Sequence, residues 1–141
     1  MMRYRGHYGG MSVTLNDAAR RLLDGRNFAA VATVGPDGQP HSSVVWIDRD
    51  GDTVVFSLTA DKQKARNMAR DPRVSVSVFD HTNPYHSVEI RGMAELVEDR
   101  GRSLPERLSR KYLGTSPPPE PADTVRLVAR ITPSKVNEFS A

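Results

Sequence analysis

Apolar residues at positions 15, 18, 19, 22 and 23 recur at helical spacing. Residues 14–24 therefore read as a helix. Thr14 stands where a cap belongs, Asp17 falls in the first turn, and Gly25 supplies the stop. From Asn27 the period changes to two. Residues 27–34 (NFAAVATV), 41–48 (HSSVVWID) and 53–58 (TVVFSL) read as strands. Gly35-Pro36-Asp37-Gly38 and Asp50-Gly51 supply the turns between them. Three strands joined by tight turns predict an antiparallel meander rather than a parallel sheet.

The second half continues in the same manner. Residues 57–73 (SLTADKQKARNMARDPR) leave the third strand, turn a polar corner and become a basic helix that Asp71-Pro72 ends. Residues 73–79 alternate, with Val74, Val76 and Val78 on one side and Ser75 and Ser77 on the other. Residues 85–98 form a long strand in which Gly92 marks a bulge or bend. Residues 99–113 read as a polar helix with Leu104, Leu108 and Leu113 as its apolar side. Pro117 to Pro121 is a stiff linker. Residues 123–132 are the last strand, with Val125, Leu127, Ala129 and Ile131 on one face, and residues 135–139 are a tail. Six antiparallel strands with three peripheral helices predict a small mainly-β barrel. Residues 1–12 read as a disordered leader, within which Met11 offers a second start, and residues 13–141 as one domain.

Composition narrows the function. Hydrophobic residues are 38% and charged residues 26%, as expected of a soluble globular chain. No signal peptide or membrane-length apolar run is visible, and there is no cysteine, so a cytoplasmic location is the simplest expectation. The net charge of +3 and 6% aromatic content suit a small anionic ligand better than a nucleic acid. The histidines lack metal-ligand spacing, and no nucleophile motif or glycine-rich phosphate loop is present.

The basic stretch carries the candidate chemistry. A hydroxyl-bearing strand end (Ser57, Thr59) runs into a helix start carrying Lys62, Lys64 and Arg66. Helix N-termini present backbone N–H groups and a favourable dipole to anions, and lysines add charge-assisted hydrogen bonds. Taken alone, the stretch is more readily read as a solvated basic helix with scattered surface charge.

Four patterns decide between these readings: FAAVATVGPDGQPHSSVVW, SLTADKQKARNMARDPRVSVSV, NPYHSVEIRGMAEL and VRLVARITPSKV. Together they resemble the pyridoxamine-phosphate-oxidase-like flavin-binding split barrels, and within them the branch of deazaflavin (coenzyme F420) dependent reductases. The combination of the DGQP hairpin with Lys64, Asn67, Asp71, Pro72, Arg73 and Val74 carries most of the likeness. The resemblance implies a six-stranded antiparallel split β-barrel and a homodimer with two cofactor sites between subunits. It implies that His41, Ser43, Val44 and Val45 line the ring edge, and that Ser57, Leu58 and Thr59 lie beside the ring and ribityl chain. Lys62 and Lys64, with Arg66, would hold the phosphate, and Asn83, Pro84 and Tyr85 of the second subunit would close the site.

The activity so implied is hydride transfer from reduced deazaflavin to an electron-poor small molecule, of the enone, quinone or tetrapyrrole class. No single catalytic side chain is singled out. Arg66, Arg70 and Arg73 would suit the polyglutamate tail of a deazaflavin, which favours coenzyme F420 over FMN. An FMN oxidase or flavoprotein of the same fold, and a non-catalytic flavin or haem carrier, are the alternatives. A true pyridoxamine phosphate oxidase is disfavoured, because the chain ends at SKVNEFSA without the expected C-terminal arginines. The single tryptophan, Trp46, is assigned to core or dimer interface rather than to the cofactor.

Overall fold

The computed structural model describes residues 12–141. The expected leader lies, apart from Ser12, outside the described residues. The element order is α1 (Asp17–Asp24), β1 (Phe28–Val34), β2 (Pro40–Trp46), β3 (Asp48–Asp50), β4 (Thr53–Thr59), α2 (Gln63–Arg70), β5 (Arg73–Asp80), β6 (Asn83–Glu98), α3 (Ser103–Leu113) and β7 (Arg126–Phe139). All strand pairs are antiparallel, in one seven-stranded sheet of order β2-β1-β5-β6-β7-β4-β3.

That order forces the curl. β2 and β3 occupy opposite edges of the sheet, yet only Ile47 separates Trp46 from Asp48. The sheet must therefore bend until its edges meet, and Ile47, fully buried, spans the seam. The result is a split barrel. The strand counted as residues 41–48 breaks at this point, so seven strands replace the expected six. The expected meander is corrected too. The hairpins form, but β4 leaves β2 and pairs with β7 along Val54↔Ile131 to Thr59↔Arg126.

Inward side chains make the core. Val31, Val54, Phe56, Val76, Ile90 and Ile131 are all fully buried. α1 closes one end with Leu15, Ala18, Ala19, Leu22 and Leu23. Asn16, not Thr14, caps it: the Asn16 side chain accepts from the Ala19 N–H at 2.8 Å, and the helix starts at Asp17 rather than residue 14.

A bulge falls beside Gly92, where one was expected, but on the partner strand: Arg91 pairs with Lys135 and Gly92 with Pro133, so the extra residue is Ser134 of β7, while the β5–β6 register runs unbroken past Gly92. A Cβ there would lie 2.2 Å from the Thr132 carbonyl oxygen, so only glycine fits. The bulge lets β7 continue past Pro133 to Phe139. Residues 135–139, expected as a tail, pair with β6 along Arg91↔Lys135 to Ser87↔Phe139. Val125 lies before the strand and is exposed.

α3 starts at Ser103 rather than residue 99, because the Asp99 carboxylate accepts from the Ser103 and Leu104 N–H groups and so caps the helix. α3 straddles the seam. Leu104 and Leu108 pack on Val55, with Trp46, Tyr112 and Val128 around them. Trp46 stacks on Tyr112 with ring centroids 5.2 Å apart, which places it in a packing cluster and away from the basic corner.

Candidate functional site

The β4–α2 corner is built by a strand that ends on hydroxyls and a helix that begins without a cap. Lys62 is the N-cap residue, no side chain caps the helix, and its first turn holds no acid. The start of α2 is thus left electropositive. Lys64 reaches across to β2, where its ammonium donates to the Ser43 hydroxyl at 2.9 Å. Burial lowers the Lys64 pKa, and the neighbouring Lys62 charge lowers it further. No carboxylate among the described residues pairs with either lysine. Two lysines close enough to influence each other at an uncapped helix start, with Asp61 beside them engaged by the Thr59 hydroxyl, are a cationic corner that an anion would suit.

α2 is held in place by Asn67, which is fully buried. Its amide donates to the Thr33 hydroxyl at 3.0 Å and its carbonyl accepts from Gln63 at 2.8 Å and Arg70 at 3.1 Å. Arg66 folds back onto the Asp61 carbonyl and the Gln63 side chain, and Arg70 onto the Val34 carbonyl. Arg73 belongs to β5, where Asp71 clamps its guanidinium. The three arginines read as tail-binding cations therefore all have engagements of their own.

The other predicted residues fall into three groups. His41, Ser43 and Val45 face the barrel interior, opposite Thr33, Val31 and Ala29 of β1, while Val44 points outward and is 70% exposed. The His41 Nδ1 is buried and has no hydrogen-bond partner among the described residues. Ser57 and Thr59 face outward beside Val128 and Arg126, whereas the Leu58 side chain is 3% exposed and belongs to the core. It has only its backbone to offer a ligand. Asn83, Pro84 and Tyr85 are exposed at the far end of β5 from α2. No hydrogen bond or ion pair among the described residues joins these three to Lys62, Lys64 or Ser43, and the Asn83 side chain accepts instead from the Tyr85 N–H.

Sequence reasoning missed Asn67 as the anchor of α2, and it missed Arg126. Arg126 sits opposite Thr59 with its guanidinium 3.5 Å from the Ser57 hydroxyl. Its place follows from the β4–β7 pairing, which the periodicity of either strand alone does not reveal. A separate cleft of about 440 Å³, lined by Ala32, Val34, Pro40, Arg73, Arg91 and Met93 among others, contains Arg73 and no other residue read as binding the cofactor.

An antiparallel split barrel with a dibasic strand-to-helix corner defines a class, the flavin-binding split barrels. The chain belongs to the pyridoxamine 5'-phosphate oxidase family, whose model matches residues 15–140. It is similar to a solved F420 reductase, at 33% identity and TM-score 0.78, over 87% of this chain and 98% of that one. It shares its fold with general stress protein 26 of Bacillus anthracis, at 18% identity and TM-score 0.67, over 87% and 92% of the two chains. A curated pyridoxine/pyridoxamine 5'-phosphate oxidase of Cupriavidus metallidurans is 28% identical over 85 residues, which is 60% of this chain and 40% of that protein.

A flavin-type cofactor suits the groups present. Lys62 and Lys64, in no ion pair among the described residues, suit its phosphate, and the His41 Nδ1, without a hydrogen-bond partner there, suits a polar ring edge. No cluster of three or more histidines and acids able to hold a metal occurs among the described residues, and no helix among them is long and apolar enough to cross a membrane.

Proposed function

We propose that the protein is a homodimeric, cytoplasmic oxidoreductase that binds a deazaflavin, coenzyme F420, and reduces electron-poor small molecules such as enones, quinones or tetrapyrroles. The observation that carries this is the Lys62–Lys64 corner, two cations in no ion pair among the described residues, one of them held at 2.9 Å to Ser43. Likeness over nearly the whole length of an F420 reductase supports deazaflavin over FMN. FMN is the second reading, because the family model and the curated relative are named for pyridoxamine 5'-phosphate oxidases.

When bound, the deazaflavin supplies the hydride. The chain's own part is to bind and orient. Lys62 and Lys64 neutralise the phosphate, Arg66 lends charge from the rim, and Ser57 and Thr59 offer hydroxyls on the outer face of β4. His41 offers one nitrogen to the ring edge. Asn83, Pro84 and Tyr85 would reach the site from a second copy, as the resemblance to the split barrels implies. An apolar sheet face favours that second copy. Phe79, Ser87 and Phe139 lie in register across β5, β6 and β7, and Phe28 and Trp46 are paired on β1 and β2. Phe28 is 46% exposed, Phe79 46% and Phe139 57%, apolar surface of the kind a subunit interface covers.

The test is binding of oxidised coenzyme F420 and of FMN, side by side, by fluorescence quenching, with sedimentation to count subunits. Tight deazaflavin binding by a dimer supports the proposal. Preference for FMN transfers it to the flavoprotein reading, and binding of neither overturns both.

A further inference from the structure

Two arginines from different elements converge on one carboxylate next to the candidate site. Arg126 of β7 grips Glu120 in two-point fashion, with Nε 3.1 Å from Oε1 and Nη2 3.0 Å from Oε2. Arg102, just before α3, meets the same carboxylate with Nε 3.1 Å from Oε1. Arg102 also donates to the carbonyls of Pro121 and Thr124, both at 3.1 Å. A planar fork of donors is the group best matched to a carboxylate, and two forks on one carboxylate saturate it.

The backbone is bent to make this convergence. Arg102 has φ +52°, the only positive φ at a non-glycine among the described residues. An L-residue held in that region is unfavourable, and such residues gather where a side chain must be aimed. The carboxylate it is aimed at is carried by a run of prolines. Pro117, Pro118 and Pro119 precede Glu120, and Pro121 follows. Prolines donate no backbone hydrogen bonds, so the run is tied down by the Glu120 side chain and by the Pro121 carbonyl, which accepts from Arg102. Glu120 itself is held ionised, its carboxyl pushed below the usual range first by the Arg126 hydrogen bond.

The clasp lines one cavity, and a second lies along the segment that follows Glu120. A cavity of about 570 Å³ is lined by Arg102, Arg126, Glu120 and the three prolines before it. A second, of about 490 Å³, is lined by Thr59, Ala60, Asp61 and the segment from Pro121 to Val125. The second begins at the β4–α2 corner. The acids around these cavities are Glu106, which accepts from Arg110 and Ser116, Asp61, which accepts from the Thr59 hydroxyl, and Asp123.

We propose that Arg102 and Arg126 form a carboxylate-binding site adjoining the β4–α2 corner, that Glu120 is its internal occupant, and that a carboxylate of the ligand's acidic tail displaces Glu120. The proposal rests on the deazaflavin reading for the identity of the tail. Arg66, Arg70 and Arg73 hold partners of their own elsewhere, whereas the Arg102–Arg126 pair is already arranged around a glutamate. Displacement exchanges one carboxylate for another, so no arginine is left uncompensated at any stage. It opens the proline run and joins the two cavities into one channel leading away from the phosphate corner.

The experiment compares coenzyme F420 carrying its oligoglutamate tail with the same deazaflavin phosphate lacking glutamates, on the wild type, Glu120→Gln and Arg126→Gln. Removing an internal competitor held by a partly exposed ion pair should tighten binding of the tailed form about fivefold in Glu120→Gln. The tail-free form should change less than about twofold, and Arg126→Gln should weaken only the tailed form. If both forms bind and neither variant changes their ratio, the site is overturned while the deazaflavin reading survives. If neither form binds, the deazaflavin reading fails, and a γ-linked triglutamate peptide titrated into the wild type decides the site. Shifts in the NMR signals of the Arg102 and Arg126 Nε–H groups would sustain it, and unmoved signals would overturn it.

Discussion

The Lys64 ammonium donates to the Ser43 hydroxyl at 2.9 Å, joining the first turn of α2 to the edge strand β2. A lysine half withdrawn from water, beside a second lysine and in no ion pair among the described residues, is held in place for a ligand more than for stability. Lys64→Met removes the charge and keeps the length. We expect it to weaken binding of the phosphorylated cofactor about 10- to 100-fold, the range of one lost charge-assisted hydrogen bond. Thermal stability should be unchanged or higher, because the desolvated charge is gone. Equilibrium binding and a melting curve on the same sample check both halves, and a variant that loses stability along with binding would make Lys64 a structural residue.

Tyr112 ties α3 across the seam of the barrel. Its hydroxyl accepts from the Ile47 N–H at 3.1 Å and donates to the Asn27 carbonyl. Lys111 alongside donates to the carbonyls of Ile47 and Leu23. Ile47 is the single residue between the two sheet edges, so these bonds satisfy the backbone where strand pairing cannot. Tyr112→Phe keeps the Trp46 stack but leaves a buried N–H without its acceptor. The expected loss is about 1–3 kcal/mol in urea unfolding, with native-state tryptophan fluorescence nearly unchanged.

Gly92 is the most constrained glycine in the barrel. An added methyl meets backbone, the Thr132 carbonyl, rather than a side chain that can rotate away. Gly92→Ala should therefore cost more than about 2 kcal/mol, or prevent soluble expression. Gly38→Ala, at a turn where nothing lies within 4 Å of the new carbon, serves as the control. It should cost only the strain of its φ of +82°, about 1 kcal/mol.

These cases show what the sequence carried and what it hid. Alternation in residues 73–79 and the turns at Gly38 and Gly51 are local signals, and the strands and hairpins they mark are present. Pro72 and Gly92 spoke through their backbones, and each does what its chemistry requires. What failed was non-local. Nothing in residues 41–58 says that β4 will abandon β2 for β7, because that choice is made by barrel closure. The same closure puts Arg126 beside Ser57 and sends residues 135–139 into the sheet. Asn16 replaced Thr14 as the cap because both residue types cap well and only packing of Leu15 and Ala18 sets where the helix begins. The basic corner was legible because its residues are close in sequence, while Asn67 was legible only as part of a motif, its role resting on Thr33 from another strand.

Glu89 offers a pH test on the outer sheet face. Its carboxylate accepts from Ser75 at 2.9 Å and Asn137 at 3.1 Å and pairs with Arg91 at 3.1 Å. These partners, Arg91 first, hold its pKa below the ordinary 4.5. A carboxyl depressed in the folded state binds fewer protons folded than unfolded as pH falls. Its stabilisation is therefore fully present above the unfolded value and is lost as pH drops through the folded one. Stability should fall across the window that starts near 4.5 and extends below it, and Glu89→Gln should flatten that limb by lowering stability at pH 7, so that the two chains converge at the acid end. Urea midpoints measured from pH 3 to pH 7 on both chains check this, and parallel curves for the two would show that the three contacts do not persist in solution. The same residue lies between Ser77 and Asn137 on the face proposed to meet a second subunit. If that face is the interface, the acid limb should also depend on protein concentration, because subunit dissociation would then be linked to the same proton.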